Sequence, residues 1–234
     1  MTESLPQKIE TVLLDAGGVL LDLDYRYVRR LCRAYGAQTT EDQLSRYEAI
    51  ARVDVHKAVA DGARVSDMWR DYFHFILGHA GVPADDQPAV IDSLWEAHQK
   101  FGLWTVAIRD AVETVRELKE AGYRIGVVSN AEGRVAQDLD GAGYTGLFET
   151  VVDSHRVGVE KPNPKIFQIA LERMGAGPEN AIYVGDVPAV DVVGARAANL
   201  APILLDRHDL YADHDGPRLT EIRDLRELLL PTEG

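Results

Sequence analysis

The sequence predicts an α/β fold, a doubly wound parallel five-stranded sheet with an all-helical segment inserted after its first strand. Five short apolar runs bounded by Gly, Asp, Asn or Pro read as strands: about Glu10–Leu14, Arg124–Val128, Thr150–Val152, Ala181–Val184 and Pro202–Leu205. Helical patterns alternate with them, and strands separated by helices form parallel sheets. From about Asp24 to Leu103 the alternation stops and only helix signals remain. The predicted organisation is therefore an α/β domain of residues 1–23 and 104–234, interrupted by a helical domain of residues 24–103.

The first strand is the β-branched and leucine-rich run that ends at Asp15. In the helical segment, Thr40-Glu41-Asp42-Gln43 fits a capping box, and Ser66 is placed to cap a helix over Asp67–Gly78. Gly81-Val82-Pro83 then connects to a helix ending near Lys100. Back in the α/β domain, Ile108, Val112, Val115 and Leu118 recur at helical spacing before Gly122. Pro164 opens a helix over Lys165–Met174, with Gly175 as its stop, and Pro188 opens another running to about Ala198. Leu225, Leu228 and Leu229 suggest a last docking helix.

At 234 residues and 46% apolar content, the chain can bury a sizeable core. No apolar run approaches the ~18 residues of a membrane span. Met1 to Gln7 carry no basic-then-apolar leader. Cys32 is the only cysteine, so no intrachain disulfide can form, and a cytoplasmic location is expected. Cys32 falls in a helical pattern and reads as a buried structural thiol. A net charge of −13 argues against nucleic acid as a partner. It leaves room for a small phosphorylated molecule if local cations reverse the field in a cleft.

Polar side chains follow three of the strands, where open parallel sheets present ligand-binding residues. Asp15 ends the first strand before Ala16, Gly17 and Gly18, small residues that let backbone N–H groups approach an anion. As a carboxylate it reads as a nucleophile, a metal ligand or a loop cap. Ser129 and Asn130 follow the second strand and read either as phosphate hydrogen-bond donors or as turn residues. Lys161 precedes Pro162, which restricts its backbone, and reads as a point charge for phosphate or as a solvated surface lysine. Asp186 and Asp191 lie five residues apart, about 140° around a helix, so they fit a strand end and the following turn. Oxygen-rich sites with few carboxylates suit Mg2+. No Cys or His group has zinc spacing.

Together these segments resemble the haloacid dehalogenase-like hydrolase superfamily, over residues ~10 to ~205. Asp15 matches its first motif, with Asp22 at the familiar offset. Ser129 and Asn130 match the second motif and the residue after it. Lys161 in Glu-Lys-Pro-Asn-Pro-Lys-Ile-Phe matches the third, and Gly185-Asp186 with Asp191 the fourth. The resemblance implies a Rossmann-like core with 24–103 as a mobile cap. It also implies an aspartyl-phosphate at Asp15, charge balance by Lys161, and phosphate binding by Ala16, Gly17, Ser129, Asn130 and Lys161. Asp15, the Gly17 carbonyl and Asp186 would bind Mg2+, with Asp191 helping directly or through water.

One position departs from the pattern. Phosphatases of the family carry a second Asp two residues after the nucleophile as general acid and base, and this chain has Gly17 there. The family's dehalogenases place an aromatic residue at that position, which Gly17 does not match either. A positioned acid/base contributes about 10²–10⁴-fold. The expected function is a Mg2+-dependent phosphatase whose turnover is reduced, or confined to good leaving groups such as acyl or aryl phosphates. His56, Tyr25 and His155 are alternative proton donors. Two further readings stay open: a non-catalytic phosphate-binding or interaction protein, and a metal-independent 2-haloacid dehalogenase-type hydrolase.

Overall fold

The computed structural model describes residues 5–230. In chain order it contains β1 (Thr11–Leu14), β2 (Leu21–Leu23), α1 (Tyr25–Ala34), α2 (Glu41–Ala60), α3 (Trp69–His79), α4 (Gln87–Phe101), β3 (Trp104–Ala107), α5 (Ala111–Glu120) and β4 (Arg124–Ser129). There follow α6 (Val135–Leu139), β5 (Thr150–Asp153), α7 (Ser154–Val157), α8 (Pro164–Met174), β6 (Ala181–Gly185), α9 (Asp191–Ala197), β7 (Ala201–Leu205), β8 (Arg218–Leu219) and α10 (Asp224–Leu229). The chain divides into two compact units, one of residues 1–21 with 107–234 and one of residues 22–106.

The first unit is built on a parallel sheet in the order β5-β4-β1-β6-β7-β8. The sequence predicts five strands, and the structure adds β8 as a sixth. Its two residues, Arg218 and Leu219, are too short a run to show a period. β1 lies between β4 and β6, with Leu14 level with both Val127 and Val184. The chain thus leaves its first strand for neighbours on both sides, and the residues just past β1, β4 and β6 are drawn together at one edge. That edge of an open parallel sheet is where ligands bind.

All four β1 residues and all five of β6 are buried, the continuous apolar pattern of strands covered on both faces. On one side Leu13, Val128, Val152 and Tyr183 pack with Ile166, Phe167, Ala170 and Met174 of α8 and Ala195 of α9. Each fully buried Leu, Ile, Val or Phe there contributes about 1.5–3 kcal/mol. A Cβ at Gly126 would lie 2.9 Å from both the Leu13 side chain and the Met174 sulfur, so any larger residue there would have to displace them. Helix α8 starts with Pro164, has Asn163 accepting from the Lys165 N–H at 3.0 Å as its N-cap, and ends at Gly175 with φ 57°.

Three expectations need correction. Pro188 does not open a helix; it lies in the turn before α9, which starts at Asp191. Ser66 is not the N-cap of α3: it sits inside a short 3-10 turn, Val65–Asp67, and α3 begins at Trp69 with Met68 at the cap position and no side-chain cap. Leu228 is 41% exposed, so α10 docks through Leu225 and Leu229. In addition, β2 and β3 pair as a two-stranded sheet that the sequence did not suggest.

The second unit packs α1 to α4 around Val28, Cys32, Leu44, Phe73, Ile76, Leu77, Val90, Ile91 and Leu94. The Thr40–Gln43 capping box is present, with reciprocal bonds of 3.1 and 2.9 Å. Cys32 is buried, and burial pushes its thiol up to about 11, in keeping with a structural role.

A polar cluster sits in this apolar setting. The Glu48 carboxylate accepts from the Tyr25 and Tyr72 hydroxyls, the Trp104 indole N–H at 2.9 Å and Arg52 at 2.7 Å. Burial alone would raise the acid, but Arg52 and the other donors outweigh it and hold Glu48 below the usual carboxylate value. Glu48→Ala would leave two hydroxyls, an indole N–H and a guanidinium without their acceptor. A loss of about 3–5 kcal/mol is expected in urea unfolding at neutral pH. Because the folded acid is the stronger one, this contribution is complete above the ordinary value of 4.5 and is lost as pH falls through the lower folded value. A loss below 1 kcal/mol at neutral pH would show the cluster to be incidental.

Candidate active site

Three segments of the first unit meet at one buried ammonium group: the lysine's own, the one after β1, and β6 with the start of α9. Lys161, 2% exposed, lies 2.8 Å from Asp15 Oδ2, 2.8 Å from Asp191 Oδ1 and 2.9 Å from the Tyr183 hydroxyl. An ammonium has three donors, and these three oxygens use all of them. Each partner is placed by the sheet. Asp15 follows β1 and its N–H bonds to Val184 O at 2.9 Å, Tyr183 is in β6, and Asp191 is the first residue of α9. The Lys161–Pro162 peptide bond is cis.

Asn130 acts on the lysine backbone. Its side-chain oxygen accepts from the Lys161 N–H at 2.7 Å and its amide donates to the Lys161 carbonyl at 3.0 Å. Asn130 thus holds the segment that carries the lysine, through its oxygen and one of its two amide hydrogens. Ser129 ends β4 level with Asp153 of β5 and is buried. The Ala16 N–H bonds to Asp15 Oδ1 at 2.7 Å, and Gly17 forms an isolated bridge with Leu21.

Asp191 is saturated. Its Oδ1 accepts from Lys161 and, at 2.8 Å, from Tyr183, while its Oδ2 accepts from the Asp186 and Val187 N–H groups at 3.1 and 2.9 Å. Gly185 makes room for it, since a Cβ there would overlap the Asp191 side chain. Asp15, Asp186 and Asp191 offer oxygens within 4.8 Å of one another. Three carboxylates face one ammonium, so the cluster carries surplus negative charge, and its all-oxygen donor set fits a hard divalent cation. Asp191 would bring to such an ion a carboxylate that already carries four donors.

The electrostatics follow from burial. Burial pushes the Asp15 carboxyl up to about 7; Lys161 opposes this, and Asp191 and Asp186 reinforce it. For Lys161, burial would lower the value, but the two carboxylates outweigh it and the ammonium is held above its ordinary range. Burial and the neighbouring Asp15 and Asp191 raise Tyr183 well above 10, so its hydroxyl stays protonated. A cation among these carboxylates would reverse the penalty on Asp15.

Of the alternative proton donors, Tyr25 gives its hydroxyl to Glu48. His56 is a partly buried residue of α2, and burial lowers its value. His155 is the second residue of α7, the short helix after β5, with its N–H on Asp153 and its ring against Gly133. Sequence reasoning missed Tyr183 and Asp153. Asp153 gathers the N–H groups of Gly133, Val135 and His155 and so shapes the loop after Asn130. The available signal for Tyr183 was a phenol in an otherwise aliphatic central strand, because a buried hydroxyl needs a partner.

A family model for haloacid dehalogenase-like hydrolases matches residues 9–199, most of the chain. The chain belongs to the haloacid dehalogenase-like hydrolases. This hydrolase is 33% identical over 164 residues to a glyceraldehyde 3-phosphate phosphatase of Methanopyrus kandleri, a match covering 67% of the chain and 70% of the relative. It is 29% identical over 159 residues to a phosphoserine phosphatase of Thermus thermophilus, covering 68% and 62%. Among solved structures, the putative HAD-hydrolase YfnB of Bacillus subtilis superposes on the hydrolase with a TM-score of 0.72 at 18% identity, covering 96% of the chain and all of that structure. At that identity the likeness is one of fold. No helix among the described residues is long and apolar enough to cross a membrane.

Proposed function

We propose that this hydrolase is a Mg2+-dependent phosphatase that acts on a small phosphorylated molecule through Asp15. The observation that carries the reading is the shared ammonium. Lys161 joins Asp15 to Asp191 at the ligand-binding edge of the sheet, beside Asp186. The phosphatase names of two relatives support the substrate class.

In this reading an Asp15 oxygen bonds to phosphorus as the ester P–O bond breaks. The leaving oxygen takes the electron pair and a proton from water. The hydroxide this leaves then bonds to phosphorus through its oxygen, the bond to Asp15 breaks with its electron pair returning to the carboxylate, and phosphate leaves. Lys161 stays charged beside Asp15 and offsets the charge that the phosphate brings. Mg2+, held by Asp15, Asp186 and the Gly17 carbonyl with Asp191 acting through water or through its contacts, would polarise the phosphate and offset its charge. Ser129 and the Ala16–Gly17 backbone would contact the phosphate, and Asn130 would act through Lys161. The helical segment 24–103 is the cap in this reading; hydrogen exchange that slows in it when phosphate and Mg2+ bind together is the corresponding check.

The test is a panel of aryl, acyl and alkyl phosphates and 2-haloacids, with Mg2+ and with chelator. Hydrolysis of phosphates that requires metal is expected. Hydrolysis of 2-haloacids in chelator would overturn the reading in favour of carbon-centre chemistry, and phosphate binding without turnover would favour a binding protein. Asp186→Ala should raise the Mg2+ concentration needed for half activity, with partial recovery at high Mg2+. An unchanged Mg2+ dependence would remove Asp186 from the metal site.

A further inference from the structure

We infer that Tyr183 is a positioning residue for Lys161, holding its ammonium on Asp15 and Asp191 at once; this rests on the phosphatase reading for its effect on turnover. A lysine has a long, flexible stem, and an ammonium is a compact charge with rotatable donors. Two carboxylates alone would let it favour either one. The Tyr183 hydroxyl takes the third donor at 2.9 Å and itself bonds to Asp191 Oδ1 at 2.8 Å, closing a three-membered network of lysine, tyrosine and aspartate.

The tyrosine is in turn rigid. It is fully buried in β6, with Leu13 and Pro202 as its strand neighbours. Its ring meets Phe167 edge-on at 4.8 Å, and its hydroxyl lies 3.4 Å from the Val128 carbonyl of β4. A side chain locked by packing can fix a flexible neighbour to the tolerance that chemistry needs. Asn130 holds the lysine's backbone and Tyr183 its charged end, so the residue is fixed at both ends.

The test is Tyr183→Phe, which removes one oxygen and keeps the ring against Phe167. With p-nitrophenyl phosphate at saturating Mg2+, kcat is expected to fall about 10–100-fold, the range for partners that orient site groups. KM and the Mg2+ requirement should change little. In a Lys161→Ala background the same substitution should have no further effect, because the hydroxyl acts through the lysine. A kcat within about twofold of the parent, or an equal loss in both backgrounds, would overturn the inference. A readout independent of turnover is the NMR signal of the Lys161 ammonium, which should be observable in the parent and lost in Tyr183→Phe. An unchanged signal in the variant would overturn the positioning role whether or not the protein is active. If the parent is inert but the signal is lost as expected, the positioning stands and the phosphatase reading fails. Should Tyr183→Phe not fold, Phe167→Leu, which loosens the tyrosine ring, is expected to weaken the same signal, and an unchanged signal there would count against the inference.

Discussion

Asp15→Asn is expected to remove phosphate hydrolysis while leaving the protein folded. An amide oxygen is a poor nucleophile and a weaker ligand for a hard cation, so both proposed roles of Asp15 fail together. Removing a nucleophile that acts as a unit with its partners costs up to on the order of 10⁶ in kcat. Stability should not follow activity. Without metal, burial holds the Asp15 carboxyl near 7, above its ordinary value of 3.8. A raised folded value means that the acid favours folding below about 3.8 and that this advantage is lost as pH rises through about 7. The asparagine does not ionise, and Lys161 keeps Asp191 as its partner at 2.8 Å. The metal-free variant should therefore be at least as stable as the parent at pH 8, as read by thermal unfolding in chelator. Activity above a few per cent of the parent would take Asp15 out of the mechanism, and a large loss of stability at pH 8 would show that its charge serves the fold.

Gly17→Asp is the expected gain. Gly17 stands where related phosphatases carry their proton donor, and glycine has no proton to give the leaving group. The left-handed turn of this loop belongs to Gly18, at φ 79°, so a side chain at residue 17 meets no backbone penalty of that kind. Activity toward alkyl phosphates should rise, and much less toward aryl phosphates, whose leaving groups need little protonation. The ceiling is the about 10²–10⁴ that a positioned general acid supplies. The realised gain should be smaller, because nothing in the parent has been selected to orient a new carboxylate. Equal gains on both substrate classes would mean that the new carboxylate acts through the metal. A parent already fast on alkyl phosphates would show that another residue supplies the proton.

Most of the fold was legible because its signals are local. The five main strands are short apolar runs with turn residues at their ends, and the structure moves their boundaries by one residue at most at either end. The Thr40–Gln43 box and the Pro164 to Gly175 helix were readable because caps and stops involve neighbours in the chain. Ser66 and Pro188 misled for the same reason. Each has the right residue type for a helix start, but a 3-10 turn and the Asp186–Val190 turn occupy those positions. β2 and β3 are three and four residues long, and each exists only because the other pairs with it across 80 residues of chain.

The sequence by itself determined which chemical groups stand at the ends of which strands: Asp15 after the first, Ser129 and Asn130 around the end of the second, Asp186 after the fourth. Strand ends and the small residues around them are local features, so the groups could be named one at a time. Only the tertiary structure decided how those groups share their bonds. Strand order set β1 between β4 and β6, and burial then forced each polar atom brought there to find a partner. Lys161 thereby binds Asp15, Asp191 and an unforeseen tyrosine, and Asn130 serves the lysine backbone. These partners lie 22 to 146 residues apart in the chain, and no local pattern links them, because a buried hydrogen bond is chosen by distance in space.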